Sequence, residues 1–368
     1  MIRKGRISSL ITYHSSLITF SMSESVQAVP PFVDAPAPYD AARKGVARPT
    51  AREWTRHALL FFLTVVTTTI AGIMMAVANS NQELEPGLPP PQTLPGYLIY
   101  VPEYYLKSVA LIVGQAFIHP SLLAQGFIFS CALLAILTAH EFGHYIACRR
   151  YGVDVTLPFF IPAPPLFLAG TFGAFIKIKS PIPSRRALFD IGVAGPLAGF
   201  VVALPVAIIG LLAAHAQQPA PGGGEIILHD SLLMQIFARM LHVNLDAVAL
   251  NPFSFAAWIG LLVTSLNLMP VGQLDGGHAT YSVFGPKIHK QLGRIAFLTV
   301  SALALLGWFL HSSPSGFLYA VLLGVMLKVR HPQPANDYER LNRGRLIVAA
   351  LTLLVFVLSF LPFPISIT

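Results

Sequence analysis

Long apolar runs, nearly free of charge, constrain this chain more than any other feature. A helix that crosses a bilayer takes about 20 consecutive, predominantly apolar residues. Residues 57–78 contain no Asp, Glu, Lys or Arg. Across 108–147 the ionisable side chains are Glu141, Cys131, Tyr145 and three histidines. Residues 187–214 are interrupted only by Asp190, and 253–269, 295–310, 316–327 and 346–363 are uncharged. The run 316–327 is short and follows a Ser-Ser-Pro-Ser-Gly turn. The run 108–147 exceeds one straight span, and His119-Pro120 divides it into a short interfacial piece and a spanning helix over about 121–148.

Composition supports the same class. Of the 368 residues only 11% are charged and 54% are hydrophobic, where a soluble domain carries about 25% charged residues. A soluble fold would leave large apolar patches facing water, and bulk disorder is excluded by the abundance of apolar residues. Two cysteines frame neither a disulfide-rich fold nor a structural cysteine-zinc site. The expected fold is an all-α polytopic membrane protein with about seven transmembrane helices.

Basic residues orient such a protein, because short cytoplasmic loops retain Lys and Arg. With seven crossings and the N-terminus inside, 22 of the 24 Lys and Arg fall on the inner side, leaving Lys107 and Arg239 outside. The N-terminus is therefore read as cytoplasmic. Residues 1–56, rich in Ser, Pro and Ala, read as a disordered tail, and 57–368 as the membrane-embedded domain. The first stretch reads equally as a transit peptide or as sequence upstream of a start at Met22. Residues 79–107 read as an extended outer loop, and 217–251 as too short for a folded soluble domain.

Charged groups within apolar runs are costly and point to function. Glu141 lies in His140-Glu141-Phe142-Gly143-His144. Residues four apart share one helix face, so both imidazoles can meet one ion, with Glu141 beside them as a base for a metal-bound water. Zinc suits this donor set, since it takes nitrogen and oxygen ligands and can keep a position open. By chance this composition yields about 0.01 such matches. Asp275, in Leu274-Asp275-Gly276-Gly277-His278, follows the fourth run and returns to the side of His144, making it the third-ligand candidate. Its structural alternative is an N-cap for the next helix. Asn267 reads either as a donor to a substrate carbonyl or oxyanion, or as a tie between helix ends.

These two motifs, with Asn267-Leu-Met-Pro270 preceding the second, resemble the site-2 protease family of intramembrane zinc metalloproteases. The segments Gly170-Thr171-Phe172-Gly173-Ala174-Phe175 and Asp190 to Gly199 are also similar to that family, and the resemblance covers about 135–281, within a catalytic core of about 121–281. It implies one Zn²⁺ per chain held by His140, His144 and Asp275, Glu141 as base, and cleavage of transmembrane segments of other membrane proteins. Gly173 joins Asn267 as a candidate substrate or oxyanion contact. Arg330-His331-Pro332-Gln333-Pro334 is similar to a sequence in chloroplast branches and their bacterial cousins. Neither a PDZ domain nor CBS domains fit between or after the runs. A bacterial inner membrane is the expected location, a plastid membrane the alternative, with lipid and membrane proteins as partners and no nucleic acid.

The other residues carry bland alternatives. Residues 153–179, with four prolines between 158 and 165 and strand character after Thr171, read as a re-entrant hairpin or loop near the site. It would offer an edge to an unwound substrate or pack as a surface loop. Asp190 is expected to cap the third helix or to pair with Arg185 or Arg186. Gly192, Gly195, Ala198 and Gly199 offer a small-residue face for close helix packing. Cys148 is more often a small interfacial residue than a ligand, and His278 either supports the metal site or caps a helix. The competing function is a metal-ion transporter or channel using the same His and Asp residues. A transporter calls for polar groups spread along the spans, often in repeated halves, and no repeat is visible.

Overall fold

The computed structural model describes residues 48–79, 86–164, 169–215, 226–311, 313–329 and 331–367. The first 47 residues of the expected tail, and Arg330, lie outside them. Among the described residues the chain forms ten α-helices and two small two-stranded antiparallel sheets.

Helix α1 (Ala51–Asn79) starts six residues before the apolar run. The reason is a capping box at Thr50-Ala-Arg-Glu53: the Thr50 amide donates to Glu53 Oε2 at 2.8 Å, and the Glu53 amide donates to Thr50 Oγ1 at 3.2 Å. Helix α2 (Tyr97–Ile118) takes in the last part of the expected outer loop, 97–107, and the interfacial piece that follows it. The prolines of 86–95 precede it, and Pro102 is accommodated near its start. Helix α3 (Pro120–Arg150) opens with proline at its first position and ends in Arg149 and Arg150, which suit the negative end of the helix dipole. Next come β1 (Phe159–Pro162) and β2 (Thr171–Phe175), paired antiparallel with a register irregularity between Phe160 and Pro162. A β-hairpin thus occupies part of the segment 153–179.

Helix α4 (Arg185–Leu212) is capped by Ser184, whose Oγ accepts from the Ala187 amide at 3.3 Å. After it come β3 (Ile226–Leu228), α5 (Leu232–Met240), α6 (Pro252–Asn267), α7 (Asp275–Phe284), α8 (Pro286–His311), α9 (Ser315–Lys328), α10 (Arg343–Ser359) and β4 (Ile365–Ile367). Each of the seven apolar runs is largely helical, with 108–147 divided between α2 and α3. Four helices, α1, α3, α4 and α8, are long and apolar enough to cross a membrane. Helix α6 has 16 residues and α9 has 14, roughly 24 and 21 Å at 1.5 Å per residue, short of a core about 30 Å thick.

Helix α3 packs against α1, α4 and α6. Its apolar surface is therefore covered on several sides, as a helix apolar all round requires. Phe129, Leu133 and Ile136 of α3, Ala203 and Ala207 of α4, and Trp258 and Leu261 of α6 form the centre of the core. The site lies toward the ends of these same helices.

Candidate metal centre

His140, Glu141 and His144 are buried in the last third of α3. Asp275 is brought to them by α6, which ends at Asn267, and by the turn that follows. Leu274 is the N-cap of α7 and Asp275 its first helical residue, with no side-chain cap bond. The carboxylate is thus not the cap that the sequence also allows. Close approach explains the adjoining glycine: a Cβ on Gly276 would stand 1.9 Å from the Leu268 carbonyl oxygen.

Three potential ligand atoms converge. His140 Nε2 and His144 Nε2 are 3.1 Å apart, and each lies 3.4 and 3.3 Å, respectively, from Asp275 Oδ2. His144 Nδ1 donates to the Ile191 carbonyl at 2.7 Å, which holds the proton on that nitrogen and leaves Nε2 a bare lone pair. Lone pairs and a carboxylate at such distances repel unless a cation joins them. Bonds of about 2.0–2.2 Å at tetrahedral angles separate donors by roughly 3.3–3.5 Å, close to the observed triangle. The donor set and its spacing fit a single zinc ion.

Helix α4 supplies the wall behind the imidazoles. A Cβ on Gly195 would lie 2.0 Å from His144 Nε2, and one on Gly199 would lie 3.1 Å from His140 Cβ. The small-residue face expected there is the contact face. Asp190 on the same helix is held by Arg345, at 2.9 and 2.6 Å, and by the Tyr151 hydroxyl. Its expected partners Arg185 and Arg186 instead face Asp337 and Glu339 at 3.6 and 3.8 Å. Residues near in sequence on a helix need not face each other, and Arg345 reaches Asp190 only through the packing of α10 on α4.

A cavity of about 610 Å³ opens onto the cluster. Glu141 and Asn267 line it, with Ala174 to Ile178 along one side and Pro332 and Gln333 at another. The Asn267 Nδ2 is 3.3 Å from His140 Nε2. Gly173 is not among the lining residues; its amide donates to Thr171 Oγ1 at 3.0 Å. Cys148 is buried and lies outside the donor cluster. His278 lines the cavity and bonds to His331 at 2.9 Å. The segment that carries the wall residues Pro332 and Gln333 is held by main-chain pairing: the amides of Ala335 and Asn336 donate to the carbonyls of Ile182 and Pro183. Only the Arg330–Pro334 motif signals that wall in the sequence, since nothing local indicates where the segment returns.

The profile of peptidase family M50 matches residues 128–307, which include all four residues of the cluster. The chain is 30% identical over 275 residues to "Probable zinc metalloprotease EGY2, chloroplastic" of Arabidopsis thaliana, covering 72% of this chain and 47% of that protein. It is also 30% identical over 237 residues to "Probable zinc metalloprotease EGY1, chloroplastic" of Oryza sativa subsp. japonica, covering 62% and 39%. The chain therefore spans about half or less of the length of these relatives. A buried His-His-Asp triangle carried on a His-Glu-x-x-His helix, within a matching profile, leads to one conclusion: the chain belongs to the site-2 protease family, peptidase family M50.

Proposed function

We propose that the protein is an intramembrane zinc endopeptidase that cuts transmembrane segments of other membrane proteins. The observation that carries this reading is the triangle of potential ligand atoms, His140 Nε2, His144 Nε2 and Asp275 Oδ2, beside a buried carboxylate. These three residues would hold the ion. Bound zinc supplies a Lewis acid for the scissile carbonyl and brings a water's pKa toward neutrality.

The protein's own groups do the rest. The Ile191 carbonyl and Gly195 hold the His144 ring with Nε2 toward the donors. Glu141 accepts a proton from the attacking water and returns it to the leaving amine. The Asn267 amide, on the cavity wall, donates to the oxyanion as it develops. A helical substrate shields its peptide carbonyls, so the segment has to unwind. The stretch 174–178 that continues β2 along the cavity is an edge for strand addition, and Gly173 in β2 precedes that edge without lining the cavity.

Residues 57–368 form the membrane domain in this reading, with seven crossings, a cytoplasmic N-terminus and the β1–β2 hairpin dipping toward the site. The membrane is the bacterial inner membrane, with a plastid membrane as the alternative that the relatives' chloroplastic names support. The deciding experiment compares purified wild type with Glu141→Gln for bound zinc and for cleavage of a membrane-spanning peptide. One zinc in both proteins is expected, with cleavage in the variant reduced about 10²–10⁴-fold. Zinc flux into liposomes without cleavage would replace the protease by the transporter.

A further inference from the structure

A second cavity, of about 440 Å³, lies between the first turns of α8 and the end of α9. Residues 286, 289, 290, 293 and 294 of α8 line it, which is the i, i+3, i+4, i+7, i+8 spacing of one helix face. Lys290 and Arg294 come from that face and Lys328 from α9, and no Asp or Glu lines the cavity. Among the described residues none of the three cations has a carboxylate within 4.0 Å. Lys328 sits in the last turn of α9, where the helix dipole favours a cation. Lys290 and Arg294 have no such compensation. A general excess of positive charge on one side of a membrane protein accounts for their sign, but not for their convergence on one cavity.

Burial and the neighbouring His278 and His289 push the His331 imidazole down to about 3. This ring, which lines the cavity, is therefore neutral, and the charge there comes from the two lysines and the arginine. Three like charges around one cavity repel, and an anion with several acceptor oxygens relieves that repulsion.

We propose that this cavity is a binding site for a phosphate group, carried by a phospholipid headgroup or by a soluble phosphate. Basic pockets between helices at a membrane face are where anionic headgroups are held. The occupant would also brace the catalytic cavity. Gln333 lines both cavities, and His331 stacks on Tyr281 with ring centroids 4.3 Å apart while bonding to His278. Binding itself requires neither zinc nor proteolysis, so its failure and the failure of the protease reading are separate results.

The test uses the whole chain purified in detergent, titrated with inorganic phosphate in one arm and short-chain phosphatidylglycerol in the other. Saturable binding that weakens about tenfold or more in Lys290→Gln/Arg294→Gln, and not in Lys107→Gln, is expected. Binding of phosphate alone identifies a soluble ligand, and binding of phosphatidylglycerol alone a headgroup; either outcome supports the site. No saturable binding in either arm, or equal affinity in the double variant, overturns it. Acetylation footprinting of the wild type needs no variant. The bound probe should slow modification of Lys290 and Lys328 but not of Lys107, and unprotected lysines at saturation would overturn the site as well.

Discussion

At Gly195 the metal centre has no room for a methyl group. A Cβ there would stand 2.0 Å from His144 Nε2, an atom that cannot retreat while its ring is tethered to the Ile191 carbonyl. Gly195→Ala is therefore expected to weaken zinc binding about 10–100-fold, the scale on which groups that orient metal ligands act. Equilibrium dialysis against a zinc chelator measures this, and unchanged affinity would show that α4 does not set the ring. Glu141→Gln is the complementary change, since it alters the proton acceptor and leaves the donor triangle intact. The proposed ligands His140 and His144 and the proposed base Glu141 stand out in the sequence because the i, i+4 spacing is a local property of one helix. Asp275 needs a return across α6, and it becomes a ligand candidate only once that helix is counted as a crossing.

Elements are held in register around the site by contacts distant in sequence. Asp190 on α4 meets Arg345 on α10 and Tyr151 just after α3, with the Arg345 side chain also 3.0 Å from the Tyr151 hydroxyl. Three segments share this one polar cluster, so losing Arg345 leaves a partly buried carboxylate without its charge partner. Arg345→Leu is expected to cost about 2 kcal/mol, and Asp190→Asn/Arg345→Leu less than the sum of the single changes. Thermal unfolding of the four proteins gives the coupling, and strictly additive losses would remove the pair from the stabilising contacts. The helices themselves are legible as uncharged runs, with starts and stops shifted by caps. Helix α2 is the exception. Prolines at 86–95 and Pro102 mask it in the sequence, yet proline near a helix start interrupts few intrahelical bonds. The partners of Asp190 were not legible, because helix periodicity ranks neighbours on one helix and says nothing of which helix lies opposite.

The far end of the molecule is closed by strand pairing. Strand β4, from the C-terminal segment, pairs antiparallel with β3, and the His229 carbonyl beside β3 accepts from Trp258 Nε1 of α6 at 2.7 Å. Asp230 follows directly. Burial, with Asp246 adding its charge, pushes its carboxyl up to about 6, against about 3.9 in an unfolded chain. The folded protein thus holds this proton more tightly. Its contribution is fully present below about pH 4 and is lost as pH rises through about 6, a difference on the order of 3 kcal/mol. Asp230→Asn should therefore gain thermal stability relative to wild type as pH is raised from 4.5 to 7.5; parallel profiles across that range would dismiss the effect. Apolar runs and local spacing are enough to determine a helical membrane class, seven helical segments and the His-Glu-x-x-His face, because bilayer thickness and helix pitch act on contiguous residues. The closing of the triangle by Asp275, the arginine that holds Asp190 and the return of the segment beside Ile182 and Pro183 were fixed by packing. Those contacts join residues more than 100 positions apart, and no periodicity within one segment carries information about another segment's position.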